Sequence, residues 1–201
     1  MELARTTVAG LSVAALAVGT ALTGCANNKT SAPSSSSTAA PSTAVTGPSP
    51  GQTTDYSGLL IKPSDIGPDL TTPQPPVLNP NNAPGVAQLF ANADNSRRIG
   101  DTILIVADPQ TAASGIENTK ANYAGKVSGT WQPVDVGSNG AMISGTSPDN
   151  SQAVTVLLFS EGKALVNLEF DSAPNDPIDP GMATDIGRKQ DAAIKSGLPP
   201  S

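Results

Sequence analysis

Residues 26–55 carry one large aliphatic side chain, Val45, and two charges, Lys29 and Asp55; Ser, Thr, Ala and Pro make up most of the rest. Such a stretch cannot bury enough apolar surface to offset the entropy of ordering its backbone, so it is expected to be a disordered stalk. As a flexible coil it would reach roughly 30 Å end to end. Its Ser/Thr/Pro mixture suits either a bare spacer or an O-glycosylated one. Any folded body is thereby confined to residues 56–201, a length sufficient for one core of ordinary size.

The sequence ahead of the stalk is of a different kind. After a short polar start with Arg5, residues 8–22 are apolar or small throughout. As a helix they would span roughly 22 Å, less than the ~30 Å hydrocarbon layer, so they read as the apolar region of a signal peptide, residues 1–24. The run ends in Leu22, Thr23, Gly24 and Cys25, and Cys25 is the single cysteine of the chain. These four residues resemble the lipobox of bacterial lipoproteins. That resemblance implies diacylglycerol on the Cys25 sulfur, cleavage before Cys25, and a lipid anchor on the extracytoplasmic face of the cell membrane. Burial of acyl chain is worth ~0.8 kcal/mol per methylene, so a doubly or triply acylated cysteine holds firmly. Host pattern-recognition receptors are possible further partners through the lipid.

Composition removes several functions from the folded part. The chain has no histidine, and with it go the commonest general base, the commonest metal ligand and every Ser-His or Cys-His pair. A net charge of -6 with 3% aromatics and no basic run argues against nucleic-acid binding. No internal disulfide is possible with one cysteine. No cofactor is indicated.

Periodicity predicts an α+β fold: an antiparallel sheet flanked by two helices, in the order ββαββββα. Prolines 73, 75, 76, 80 and 84 keep the first part extended and outside any central strand. Strands are expected at 86–91 and 99–106; Ile103, Leu104, Ile105 and Val106 are apolar on both faces, which suits a central position. Asp108 and Pro109 open a helix as N-cap and first residue, over 110–124, with Ala112, Ala113, Ile116, Lys120 and Tyr123 on one face. Four strands follow, at 127–136, 141–146, 153–159 and 164–170, the last three forming a meander. Asp179 and Pro180 repeat the helix-opening pair. The final helix covers 181–196, with Met182, Ile186 and Ala193 inward.

The segment Leu59, Leu60, Ile61, Lys62, Pro63, Ser64, Asp65, Ile66 and the strand-to-helix passage from Ile103 to Ala113 resemble mycobacterial cell-envelope lipoproteins. They are more distantly similar to the extracellular sensor domain of PknH-like receptor kinases. That resemblance implies an antiparallel sheet with flanking helices and a cleft for an envelope ligand. The kinase sensor domains carry disulfides, whereas residues 56–201 contain no cysteine.

Candidate chemistry is sparse. Asp171, Asn175, Asp176 and Asp179 supply oxygen ligands, but their spacing matches no calcium loop and Asp179 already serves as an N-cap. Loop chemistry is the better account. Glu161 and Glu169 are the carboxylates a glycosidase would need to pair. Arg97 and Arg98 form a basic pair suited to a solvated turn or to an anionic ligand. Trp131 and Tyr123 are candidates to line a ligand cavity, with core packing as the plainer role. The expected function is a non-enzymatic, membrane-anchored module that binds or senses an envelope lipid, glycan or protein. The alternative is a carboxylate-dependent hydrolase acting on envelope polysaccharide.

Overall fold

The computed structural model describes residues 54–199, and the expected signal peptide, lipobox, lipidated Cys25 and nearly all of the stalk lie outside them. The described part is a seven-stranded, wholly antiparallel sheet with a helix on each face. The strands are β1 (Val77–Leu78), β2 (Gly85–Ala91), β3 (Arg97–Ile105), β4 (Gln132–Pro133), β5 (Ser138–Thr146), β6 (Ala153–Glu161) and β7 (Ala164–Ser172). The helices are α1 (Pro63–Ile66), α2 (Pro109–Asn122) and α3 (Pro180–Gly197). Across the sheet the order is β1-β2-β3-β7-β6-β5-β4. Two meanders, β1–β3 and β4–β7, are thus sewn together along one seam, β3 against β7, with Arg98 opposite Asp171, Gly100 opposite Glu169 and Thr102 opposite Asn167.

The two sheet faces are built differently. On one, α3 lies over β6 and β7, and the segment from Leu59 to Leu70 completes the cover over Val86, Phe90, Ile99 and Ile103. Gln190, fully buried on α3, ties that segment down: its Nε2 donates to Leu59 O at 2.6 Å and its Oε1 accepts from Ile61 N at 3.1 Å. On the other face, α2 lies across β5, β6 and β7, with Ala112 and Ile116 packed on Val154, Val156, Leu158 and Leu165. Accordingly β6 is buried at all but its last residue, while β3 alternates buried and half-buried positions. Each helix makes its closest approach through a glycine. A Cβ at Gly115 would stand 2.4 Å from Leu165 Cδ1, and one at Gly187 would stand 2.3 Å from Leu157 Cδ2.

The predicted α+β class, strand pairing and two long helices stand, and a single helical turn, α1, is added at Pro63–Ile66. Four details differ. Residues 127–136 do not form a full strand; only Gln132–Pro133 pairs with β5. Gly129 lies so close to Ser144 O that no side chain would fit, and Pro133 has no N–H for a ladder, so the stretch crosses the sheet edge as a loop. A short edge strand, β1, which the expected order lacked, forms between prolines in the stretch expected to be extended and outside any central strand. The buried stripe of α2 is Ala112, Ile116 and Thr119, with Lys120 turned out to Glu117. On α3 it is Ala183, Ile186, Gly187, Gln190, Asp191 and Ile194, with Met182 exposed.

Candidate functional site

α2 packs on β5, β6 and β7, and on β3 only Leu104 joins the cluster beneath it, so the rest of the sheet face over β2 and β3 is left without a helix. The register places Leu89, Gly100 and Glu169 in one row across β2, β3 and β7, with Arg98 and Asp171 in the row on one side and Thr102 and Asn167 in the row on the other. All are half-buried. Tyr123, the residue that closes α2, reaches over this patch. Its hydroxyl donates to Glu169 Oε2 at 2.5 Å and accepts from Asn167 Nδ2 at 2.9 Å. Behind it Trp131 packs edge-on, with ring centroids 6.2 Å apart and planes at 69°, and the Lys126 ammonium stands 5.9 Å from the Tyr123 ring centre.

Partial burial sets the electrostatics. Desolvation raises the Glu169 carboxyl above its usual range, opposed by the Tyr123 hydrogen bond. Asp171 is raised for the same reason, against the pull of Arg98, whose Nη2 stands 3.0 Å from Asp171 Oδ2. Tyr123 is pushed strongly upward by burial and by the neighbouring Glu169, so it stays a neutral donor. In this patch Arg98 is paired with Asp171, and the Glu169 carboxyl is held by the Tyr123 hydroxyl with no ion pair to it among the described residues.

Several expectations are altered by this geometry. Arg97 and Arg98 do not act as a pair: they sit on opposite faces, Arg97 bound to Asp176 at 2.8 Å and Arg98 to Asp171. The acidic group of the last loop is dispersed, because Asp171 and Asp176 each hold an arginine and Asp179 caps α3 by accepting from Met182 N at 3.0 Å. Glu161 and Glu169 face opposite sides of the sheet; Glu161 lies 3.5 Å from Lys195, itself 2.6 Å from Asp191. Glu161 and Lys195 rim a depression of about 360 Å³ between the β6–β7 turn and the end of α3, and the Lys195 ammonium is already held by Glu161 and Asp191.

Two residues that the sequence reading passed over stand out. Gly100 lies in the middle of a long strand with nothing within 4 Å of where its Cβ would be. Asp101, next to it but on the closed face, is fully buried with both carboxylate oxygens lacking partners among the described residues, and burial pushes it up to about 8. The departure from alternating apolar residues at 100–102 was the available signal.

No protein-family model matches the sequence, and no curated protein matches it. Among solved structures, the chain is similar to the extracellular domain of PknH from Mycobacterium tuberculosis. The TM-score is 0.52 at 10% identity, covering 70% of this chain and 94% of that one. At that identity the likeness is one of fold, and to that extent the resemblance seen in the sequence holds. Among the described residues no helix is long and apolar enough to cross a membrane.

Proposed function

We propose that the chain is an extracytoplasmic binding or sensing module, tethered by lipid on Cys25, that takes its ligand on the open sheet face beside Tyr123 and Glu169. The observation that carries the reading is the asymmetry of the sheet: one face is sealed by α3 and the Leu59–Leu70 segment, while the other leaves Arg98, Thr102, Asn167, Glu169 and Asp171 half-buried beside an aromatic rim. Fold likeness to an extracellular domain supports the location. The lipobox-like residues Leu22, Thr23, Gly24 and Cys25 support the tether.

The test is to purify wild-type protein and Glu169→Gln from native membranes and to compare the small molecules that co-purify. A compound retained by the first and lost from the second supports the reading; identical extracts oppose it. Hydrolysis of a wall fragment that disappears in Glu169→Gln would favour the polysaccharide hydrolase instead. The tether has its own test: Cys25→Ser should release the protein from the membrane fraction or block its processing, and unchanged detergent partitioning would refute it.

A further inference from the structure

Glycine inside a strand is less stabilising than alanine, and it often marks a bulge, a tight bend or a place where another backbone or a ligand comes close; the register on both sides of Gly100 is unbroken, so no bulge accounts for it. Other strand glycines of this sheet have a neighbour that excludes a side chain: a Cβ at Gly85 would lie 2.2 Å from Ile103 O, and one at Gly145 would lie 1.7 Å from Ser128 O. Gly100 has none, since a Cβ there would meet open space. Internal packing therefore does not explain its lack of a side chain. What that lack creates is a notch in the open face, between Leu89 on β2 and Glu169 on β7, roughly 10 Å apart as next-nearest strands. Arg98 and Thr102 bound it along β3.

We propose, resting on the reading of this face as the ligand site, that Gly100 floors a subsite for one neutral sugar ring of a glycan. The floor is bare backbone and the Leu89 wall is apolar, which suits the C–H face of a pyranose. The remaining walls are a carboxyl group, a hydroxyl and a guanidinium, suited to ring hydroxyls at the edge. Arg98 is already matched to Asp171 at 3.0 Å. A formally charged ligand would have to break that pair, whereas a polyol need only add hydrogen bonds to it. An acyl chain would cover these polar walls and exclude water from them while adding no hydrogen bond of its own.

The experiment titrates full-length wild type, Gly100→Val, Gly100→Ala and Glu169→Gln with maltotriose, mannotriose and cellotriose, following amide shifts and thermal midpoints. At least one trisaccharide should bind wild type at about millimolar Kd or tighter, shifting Leu89 and Thr102 resonances. Gly100→Val should weaken that binding by about tenfold or more with an unchanged or higher midpoint, because the new side chain enters empty space. If valine prevents folding, the smaller alanine should fold and weaken binding in the same direction. Failure of all three sugars to bind, or binding that survives Gly100→Val undiminished, overturns the proposal. A recurring lipid that co-purifies with wild type and is lost in Glu169→Gln would also overturn the sugar assignment, while leaving the face as a ligand site.

Discussion

At the scale of single residues the two neighbours on β3 have opposite surroundings and opposite consequences. Asp101 faces the sealed core, where its ordinary value of 3.8 becomes about 8. Between those values the folded chain holds a proton that the unfolded chain has released. Stability linked to this carboxyl is therefore greatest below the unfolded value and falls by about 1.4 kcal/mol for each pH unit up to the folded one. Denaturant titrations at about pH 5 and pH 7 should show that decline in the wild type, and Asp101→Asn, which cannot ionise, should lack this component; equal slopes would refute the buried proton. On the open face, Tyr123→Phe removes the donor to Glu169 and the acceptor of Asn167. It should cost about 1–3 kcal/mol in denaturation and move the Glu169 titration further upward in a carboxyl NMR experiment. A Glu169 titration that does not rise would contradict the hydrogen bond.

At the scale of elements, the fit of helix to sheet is the sensitive quantity. Gly187→Ala places a methyl 2.3 Å from a methyl of Leu157, a residue with no exposed surface, and 3.2 Å from Val136. Overpacking of this kind costs about 1–3 kcal/mol, which a fall in the denaturation midpoint would register. The elements themselves were largely legible in the sequence. β6 announces itself by a nearly continuous apolar run and β7 by apolar residues alternating with Asn167 and Glu169, and both long helices by the Asp-Pro pairs at 108–109 and 179–180, where each aspartate does cap its helix. What misled was local pattern read without a partner. Trp131 among loosely alternating neighbours looked like a strand, yet it packs against Tyr123 from a loop that the backbone near Ser144 leaves too little room to straighten. On α3 Ile186 faces inward as expected, but Ala183 and Ile194 replace Met182 and Ala193, because Gly187 and Gln190, neither of them apolar, carry part of the buried face.

The site was legible one residue at a time and illegible as a whole. Tyr123, Glu169, Asp171 and Arg98 each draw notice in the sequence, but Arg98 and Asp171 are 73 positions apart and meet only through the β3–β7 register. No local rule fixes that pairing, because sheets specify non-adjacent partners through burial over the entire surface. At this scale, amide exchange should be slowest in β3, β6 and β7, which lie inside the sheet, and fastest in β1 and β4, each two residues long and at an edge. Protection equal at the edges and the centre would refute the sheet order.

The seam has a bearing on when the molecule becomes competent. The first meander supplies Leu89, Arg98, Gly100 and Thr102, the second supplies Asn167, Glu169 and Asp171, and α2, which links them, delivers Tyr123. Neither half supplies the whole surface. The proposed surface is therefore complete only where the two halves are joined, and a nick or slip along that single line would take it apart while leaving most of the hydrogen-bonded ladders of each meander in place.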